Sequence, residues 1–531
     1  MLTISSGAVF FDGYLPEWKI PTRLQRVCRT SSELKTYFLS HPTALPKPKH
    51  PVGPDRQVPL FPEPTTASKG TRLPPPAFAV QAILETLRQS HRYGPVTRLV
   101  PGEADPFCAE FARSHACVVL TSDSDLLVFD LGPDSKVAFL RDIEECNIGD
   151  SRSLTAQEYH PARISERLGL PTKLGLSALA FELASDSHRP LNELLSRSKS
   201  SAAETAGAEK YQEFMARYPR FPLEASDAPS GPLSRDLGSL DSRVSELVLQ
   251  CLRPEPRYRE GGAHADSAPG PDTLRIRMFL PQLLDSWKRV NAWETSRPLR
   301  EVAYSLVQLV STRRIPVVAE YARVVSTSSS GKAVEVPPVS HVGERCDDLS
   351  SLISRIKQGL TDHDLVWVSL AMYWDVTQSK ATGKESVVLE LLHHGTDLAG
   401  MMDPSSWNAV HWFAQIQSTY YSLRMLKQVV AFVRQETRTE AQQVQDLHEA
   451  LALLPPLAGF PLLNDMQDLP SRLRDAGGLR LLADLTGLTE SIDFSTAKRS
   501  KRKRGVDQPK RVRHSSSSAT GTNPFAILGE E

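Results

Sequence analysis

The stretch Val100–Asp130, VPGEADPFCAEFARSHACVVLTSDSDLLVFD, constrains this chain more than any other. Thr97–Val100 reads as a strand, Asp105–His115 as a helix, and the apolar run Cys117–Leu120 as a second, buried strand. Upstream, Ala8–Phe11 (AVFF) is a short apolar run that ends in Asp12-Gly13, a strand feeding a loop. Arg23–Phe38 is predicted as a helix with a mixed face. Phe78–His91 is predicted as a helix with Val80, Ile83, Leu84 and Leu87 on one side. Leu126–Phe129 and Val137–Leu140 read as further short strands. Strands alternating with helices predict a parallel α/β sheet with crossover helices.

In such a sheet, ligands bind at the carboxyl ends of the strands. There the sequence gathers Glu103 and Asp105 at a helix start, and Asp123 and Asp125 in the loop after a strand. Two unit charges ~4 Å apart repel by about 1 kcal/mol in water and several times that inside protein. A divalent cation relieves this, and hard oxygen donors suit Mg²⁺ or Mn²⁺. Two such ions ~3.5–4 Å apart are the usual device for hydrolysing phosphodiesters. A plainer reading stands beside this one. Asp105-Pro106 is also an ordinary helix start, with Asp as cap and Pro in the first turn, and Glu103 suits the positive end of a helix.

Beyond Asp150 the pattern turns helical. Pro161–Leu168, Leu174–Ala184 and Leu191–Leu195 form a cluster of short helices, followed by Ser242–Leu252. From Leu274 to about Leu485 the reading is mostly helical, including Leu299–Val310, Leu365–Trp374, Ser386–His393 and Val410–Val433. The expected organisation is an α/β unit over 1–200, a helical region over 240–490 and a disordered tail over 491–531. Residues 41–76 hold eleven prolines and form an irregular insertion. Residues 254–271 and 326–346 are expected linkers.

The 62 Lys and Arg balance the 62 Asp and Glu, so the overall charge names no partner. The distribution is uneven, however. Residues 498–514 carry nine Lys or Arg and one Asp, a local +8; with Glu530 and Glu531 counted, residues 1–497 are left at −6. The basic cluster at 498–513 reads as a nuclear import signal, with non-specific nucleic-acid contact as a second use. Six cysteines with no C-x-x-C pair argue against zinc ribbons and disulfide scaffolds. No apolar run reaches the ~20 residues of a membrane span, so a soluble, intracellular protein without membrane contact is expected. His393-His394 lacks a third ligand. Trp407, Trp412, Tyr420 and Tyr421 read as helical core more readily than as a base-stacking platform.

The runs GEADPFCAEFA and LTSDSDLLVF, together with FFDGYLPEWKIPTRLQR at the amino terminus, resemble the XPG/flap-endonuclease superfamily. The asteroid-type, XPG-like fungal proteins are the nearest group by that resemblance, which covers about residues 7–200. It implies a PIN-like α/β domain and Mg²⁺- or Mn²⁺-dependent cleavage of DNA or RNA by two ions. Under it, Asp12, Glu103, Asp105, Asp123, Asp125 and Asp186 are metal ligands, while Lys19 and Arg26 hold the scissile phosphate. Solvated surface charges at Lys19 and Arg26, and a helix-capping Asp186, are the ordinary alternatives. The family pattern begins with a strand and a metal-binding Asp well before the Asp-Gly turn. This chain starts eleven residues before Asp12, so that strand, its Asp and the following helix are expected to be absent. The resemblance therefore leaves two functions, an active nuclease or a catalytically inactive scaffold that binds nucleic acid, with the helical half recruiting protein partners.

Overall fold

The computed structural model describes residues 7–14, 19–45, 73, 76–148, 151–200, 209–218, 232–252, 276–311, 314–394, 403, 405–437 and 441–489. The basic cluster at 498–513, the 254–271 linker and most of the proline-rich insertion lie outside these residues. Residues 1–493 form one compact unit.

The amino-terminal strand β1 (Val9–Asp12) pairs in parallel with β2 (Thr97–Val100), with Asp12 opposite Val100. Between them run helices α1 (Ile20–Ser40) and α2 (Ala79–Gln89). Helix α3 (Asp105–His115) follows β2 and leads to β3 (Val118–Thr121). Ala116 ends α3 in a left-handed conformation, which reverses the chain into the strand. β3 pairs in parallel with β4 (Lys136–Ile148), which turns back antiparallel along β5 (Ser151–Tyr159).

The expected sheet therefore exists as two pieces, β1–β2 and β3–β4–β5, and no ladder joins them among the described residues. Helix α3 covers both. Phe107 and Phe111 meet Phe10 of β1 at 6.4 and 5.9 Å, whereas Ala109 and Ala112 join the core of Val119, Val137 and Phe139. Alternation places Val118 and Leu120 on the opposite face of β3, where they stay 46% and 49% exposed.

Three expectations are corrected here. Leu126–Phe129 is not a strand, because Ser124–Leu127 forms a 3₁₀ turn that Asp123 caps. The helical pattern does not begin at 150, since β5 occupies Ser151–Tyr159 before α4 (Pro161–Leu168), α5 (Leu176–Ser185), α6 (Leu191–Ser200) and α7 (Glu209–Met215). Residues 326–346 are not simply a linker. They contribute β8 (Lys332–Glu335) to a third sheet with β6 (Ile276–Phe279) and β7 (Val317–Tyr321).

The carboxyl-terminal region is otherwise helical. After α8 (Pro232–Ser239) and α9 (Ser242–Leu252) come α10 (Arg297–Val307), α11 (Val342–Gly359), α12 (Val366–Thr382), α13 (Val387–His394) and α14 (Trp407–Thr437). The last helices are α15 (Gln442–Ala450), α16 (Leu469–Asp475) and α17 (Gly478–Thr486). Helix α14 is buried along most of its length and contributes to the core from Ala409 to Val433, with His411, Gln415, Ser418, Thr419, Ser422 and Arg424 buried among its apolar residues. Trp412, Tyr420 and Tyr421 are buried in that core, in keeping with the packing reading.

Arg300 is buried between α10 and α14. Its guanidinium grips both oxygens of Glu320, at 2.6 and 2.7 Å, and donates to the Trp293 carbonyl at 3.0 Å. Tyr304 adds a hydrogen bond to Glu320 at 2.6 Å, so the buried carboxylate is well compensated.

The α/β part is tied to this helical part through α1. Arg23 pairs with Glu246 at 2.6 Å, Ser31 donates to Gln282 at 2.8 Å, and the Trp407 indole donates to the His41 carbonyl at 2.8 Å.

Candidate functional site

The site begins with the Asp-Gly turn. Gly13 follows β1 and donates its amide to the Gly102 carbonyl at 2.9 Å. A Cβ at residue 13 would collide with the Val100 carbonyl, so only glycine lets the end of β1 lie against the end of β2. This close approach delivers Asp12 to the start of α3. Asp12 Oδ1 accepts the Ala104 N–H at 2.8 Å, so the helix is capped by a residue from β1 and Asp105 occupies its first turn. Pro106 follows within the first turn, as the sequence indicated.

The second acidic pair is shaped by its own loop. Asp123 N–H donates to Thr121 Oγ1 at 2.9 Å, and Asp125 N–H donates to Asp123 Oδ1 at 3.0 Å. The Thr-Ser-Asp-Ser-Asp loop thus closes on itself beyond β3 and turns into the 3₁₀ segment. Leu126, which is buried, anchors it to the core.

Asp105 is where the two pairs meet. Burial first, then Asp123, Asp12, Glu103 and Asp125, push its carboxyl up to about 7. Asp125 is raised as well, by burial and by Asp123, and Lys19 opposes that rise. The five carboxylates from β1, the β2–α3 junction and the loop after β3 therefore share one electrostatic environment. Lys19, at the amino-terminal cap of α1, forms an ion pair with Glu103 at 2.5 Å, with both side chains about a quarter exposed.

The remaining sequence candidates lie apart. Arg26 is exposed and makes no ion pair among the described residues. Asp186 ends α5, pairs with Arg189 at 2.9 Å and accepts the His188 N–H at 3.2 Å. It is not among the leading groups that shift Asp105 or Asp125. Its own turn and the neighbouring arginine satisfy it, and it closes α5 rather than capping the next helix, which begins at Leu191.

Two groups at the site carried no sequence signal. The Tyr218 hydroxyl bears on Asp125, and burial together with that carboxylate pushes its phenol up to about 12. Tyr218 stacks edge-on against Phe129 at 5.2 Å and hydrogen-bonds Asp125, so it reaches the site from the segment after α7. Cys108 faces the same carboxylates. Burial, then Asp105 and Asp12, push its thiol up to about 12, which keeps it protonated.

The donor set consists of hard oxygens, the type that Mg²⁺ and Mn²⁺ take. The Asp105 carboxyl is raised first by burial and then by the neighbouring carboxylates, whose repulsion a cation would relieve. Among the described residues, however, no three His, Cys, Asp or Glu side chains stand close enough together to hold a metal ion as they are. The residues fit a divalent cation in kind and in charge, and their side chains must close in for ligation.

A family model described as XPG domain containing matches residues 75–336. The matched span includes β2, α3, β3 and the four carboxylates Glu103, Asp105, Asp123 and Asp125, and it runs on through the third sheet. No curated protein and no solved structure matches the chain. By this match the chain is similar to the XPG-like superfamily, and the family suggests a nuclease-like PIN fold.

Proposed function

We propose that the protein is a metal-dependent nuclease of the XPG type, hydrolysing phosphodiesters of DNA or RNA at the carboxyl ends of β1 and β3. The observation that carries this reading is that Asp12 accepts the Ala104 N–H at 2.8 Å beside Asp105 in the first turn of α3, where Asp123, Glu103 and Asp125 also act on the half-buried Asp105 carboxyl. A structural helix cap needs one carboxylate. Five sharing one environment cost stability unless a cation compensates them.

Asp12, Glu103, Asp105, Asp123 and Asp125 would hold Mg²⁺ or Mn²⁺, two ions in the active state. Such ions supply a water nucleophile at neutral pH and charge stabilisation for the leaving oxygen. Lys19 lies close enough to the carboxylates to meet a phosphate oxygen. Arg26, exposed on the same helix, supports nucleic-acid contact further out. The basic cluster at 498–513 fits a nuclear protein, and an asteroid-type kinship would rest on the proline-containing segment after Asp-Gly and on the helical carboxyl-terminal half.

A second reading is a PIN-like scaffold that binds nucleic acid or protein without cleaving. It is favoured by the Lys19–Glu103 pair and by the spacing of the carboxylates, which leaves no closed ligand set among the described residues. Cleavage of flap and single-stranded DNA and RNA with and without Mg²⁺ separates the two. The nuclease reading expects Mg²⁺-dependent product that Asp123→Ala and Asp125→Ala abolish. Product that persists equally in both variants would come from a contaminant, and binding without product would leave the scaffold.

A further inference from the structure

Lys19 contributes a single ammonium to a group of five carboxylates. Its Nζ stands 2.5 Å from Glu103 Oε1, and its charge also reaches Asp125 in the other acidic pair. A cation that touches one pair and acts on the other occupies the position of a counter-ion rather than that of a surface charge.

We propose that Lys19 is an exchangeable internal counter-ion, which holds Glu103 in the cation-free protein and must release it before a divalent ion can take that carboxylate. The proposal rests on the metal-site reading above.

The architecture allows release. The ammonium sits on a four-carbon flexible stem, and the side chain is 25% exposed, so water is at hand to receive it. Lys19 precedes α1, whose position is fixed elsewhere by Arg23 on Glu246, Ser31 on Gln282 and His41 under Trp407. Letting go of Glu103 therefore leaves the helix in place. A partly exposed ion pair is also weak enough to exchange. The released ammonium would stay beside the site, available to an anionic oxygen of a bound phosphate. The pair thus keeps Glu103 compensated when no cation is bound and lowers the affinity for one.

The test is Mn²⁺ titration of the full chain, with free Mn²⁺ read by electron paramagnetic resonance, in the wild type, Lys19→Met and Lys19→Arg. Removing a competing charge from a partly exposed carboxylate tightens binding by about threefold to tenfold in Lys19→Met. Lys19→Arg, which restores the cation, stays near the wild-type value. Circular dichroism checks that each variant folds, and Lys19→Gln replaces Lys19→Met should the latter not fold. Equal or weaker Mn²⁺ binding in the folded neutral variant overturns the counter-ion role while leaving the metal site standing. Absence of Mn²⁺ binding in all three proteins overturns both.

Discussion

Asp12 Oδ1 accepts the backbone N–H of Ala104 at 2.8 Å, joining the end of β1 to the start of α3 across 92 positions of sequence. This hydrogen bond sets Asp12 at the helix start that carries Glu103 and Asp105. Asp12 satisfies one of the amides left open at the helix start, and the same bond sets Asp105 beside it. The contact exists because the Asp-Gly turn lets two parallel strands end close together, with Gly13 against the Val100 carbonyl.

Gly13→Ala is expected to destabilise the α/β part by about 1–3 kcal/mol, because the new methyl must push the β1 and β2 ends apart. Urea denaturation checks this. The variant should also lose cation-induced stabilisation, since Asp12 moves with β1. An unchanged midpoint would mean that the strand ends are not in close contact.

Asp105 makes stability depend on pH. Its folded carboxyl is raised to about 7, above its unfolded value, so folding favours the protonated form. The associated stability is fully present below the unfolded value and is lost as pH rises through about 7. Asp105→Asn should therefore flatten the decline in melting temperature between about pH 4 and pH 7. It should also be more stable than the wild type at pH 8, by about 1–2 kcal/mol after allowing for partial exposure. Thermal melts across pH read both effects.

Mg²⁺ or Mn²⁺ should raise the melting temperature at pH 8 by binding the native state. The rise should shrink toward pH 5, where Asp105 takes up a proton. Asp123→Asn combined with Asp125→Asn should remove most of it, and Asp186→Asn should not, because Asp186 is engaged with Arg189. Differential scanning fluorimetry with a Ca²⁺ control is sufficient.

Arg300→Met is expected to cost about 3–5 kcal/mol, because it leaves Glu320 buried and charged. The double variant Arg300→Met, Glu320→Gln should recover part of that loss. Guanidinium denaturation of the four proteins of this cycle gives the coupling.

How much of this was legible in the sequence depended on how local the signal was. Helix α3 was read with its bounds intact, because Asp-Pro marks its start and its periodicity is plain. The acidic pairs were visible as chemistry. Only the start of β4 was read, as Val137–Leu140; the rest of β4 and all of β5 were not, because a long polar hairpin lacks the alternation that marks a half-buried strand. The third sheet was hidden for a different reason. Its strands are four or five residues long and lie between helices whose patterns dominate any wider window. Tyr218 was beyond reach altogether. It comes to Asp125 through packing on Phe129 and a side-chain hydrogen bond to the carboxylate, and no spacing in the sequence encodes that approach.

The most direct test of the central claim is an anomalous difference map at the manganese edge from crystals soaked in Mn²⁺. A peak within ligand reach of Asp105 and of at least one carboxylate from the Asp123–Asp125 loop is the predicted result. A map with no peak there, with the Lys19–Glu103 pair still closed, would contradict it.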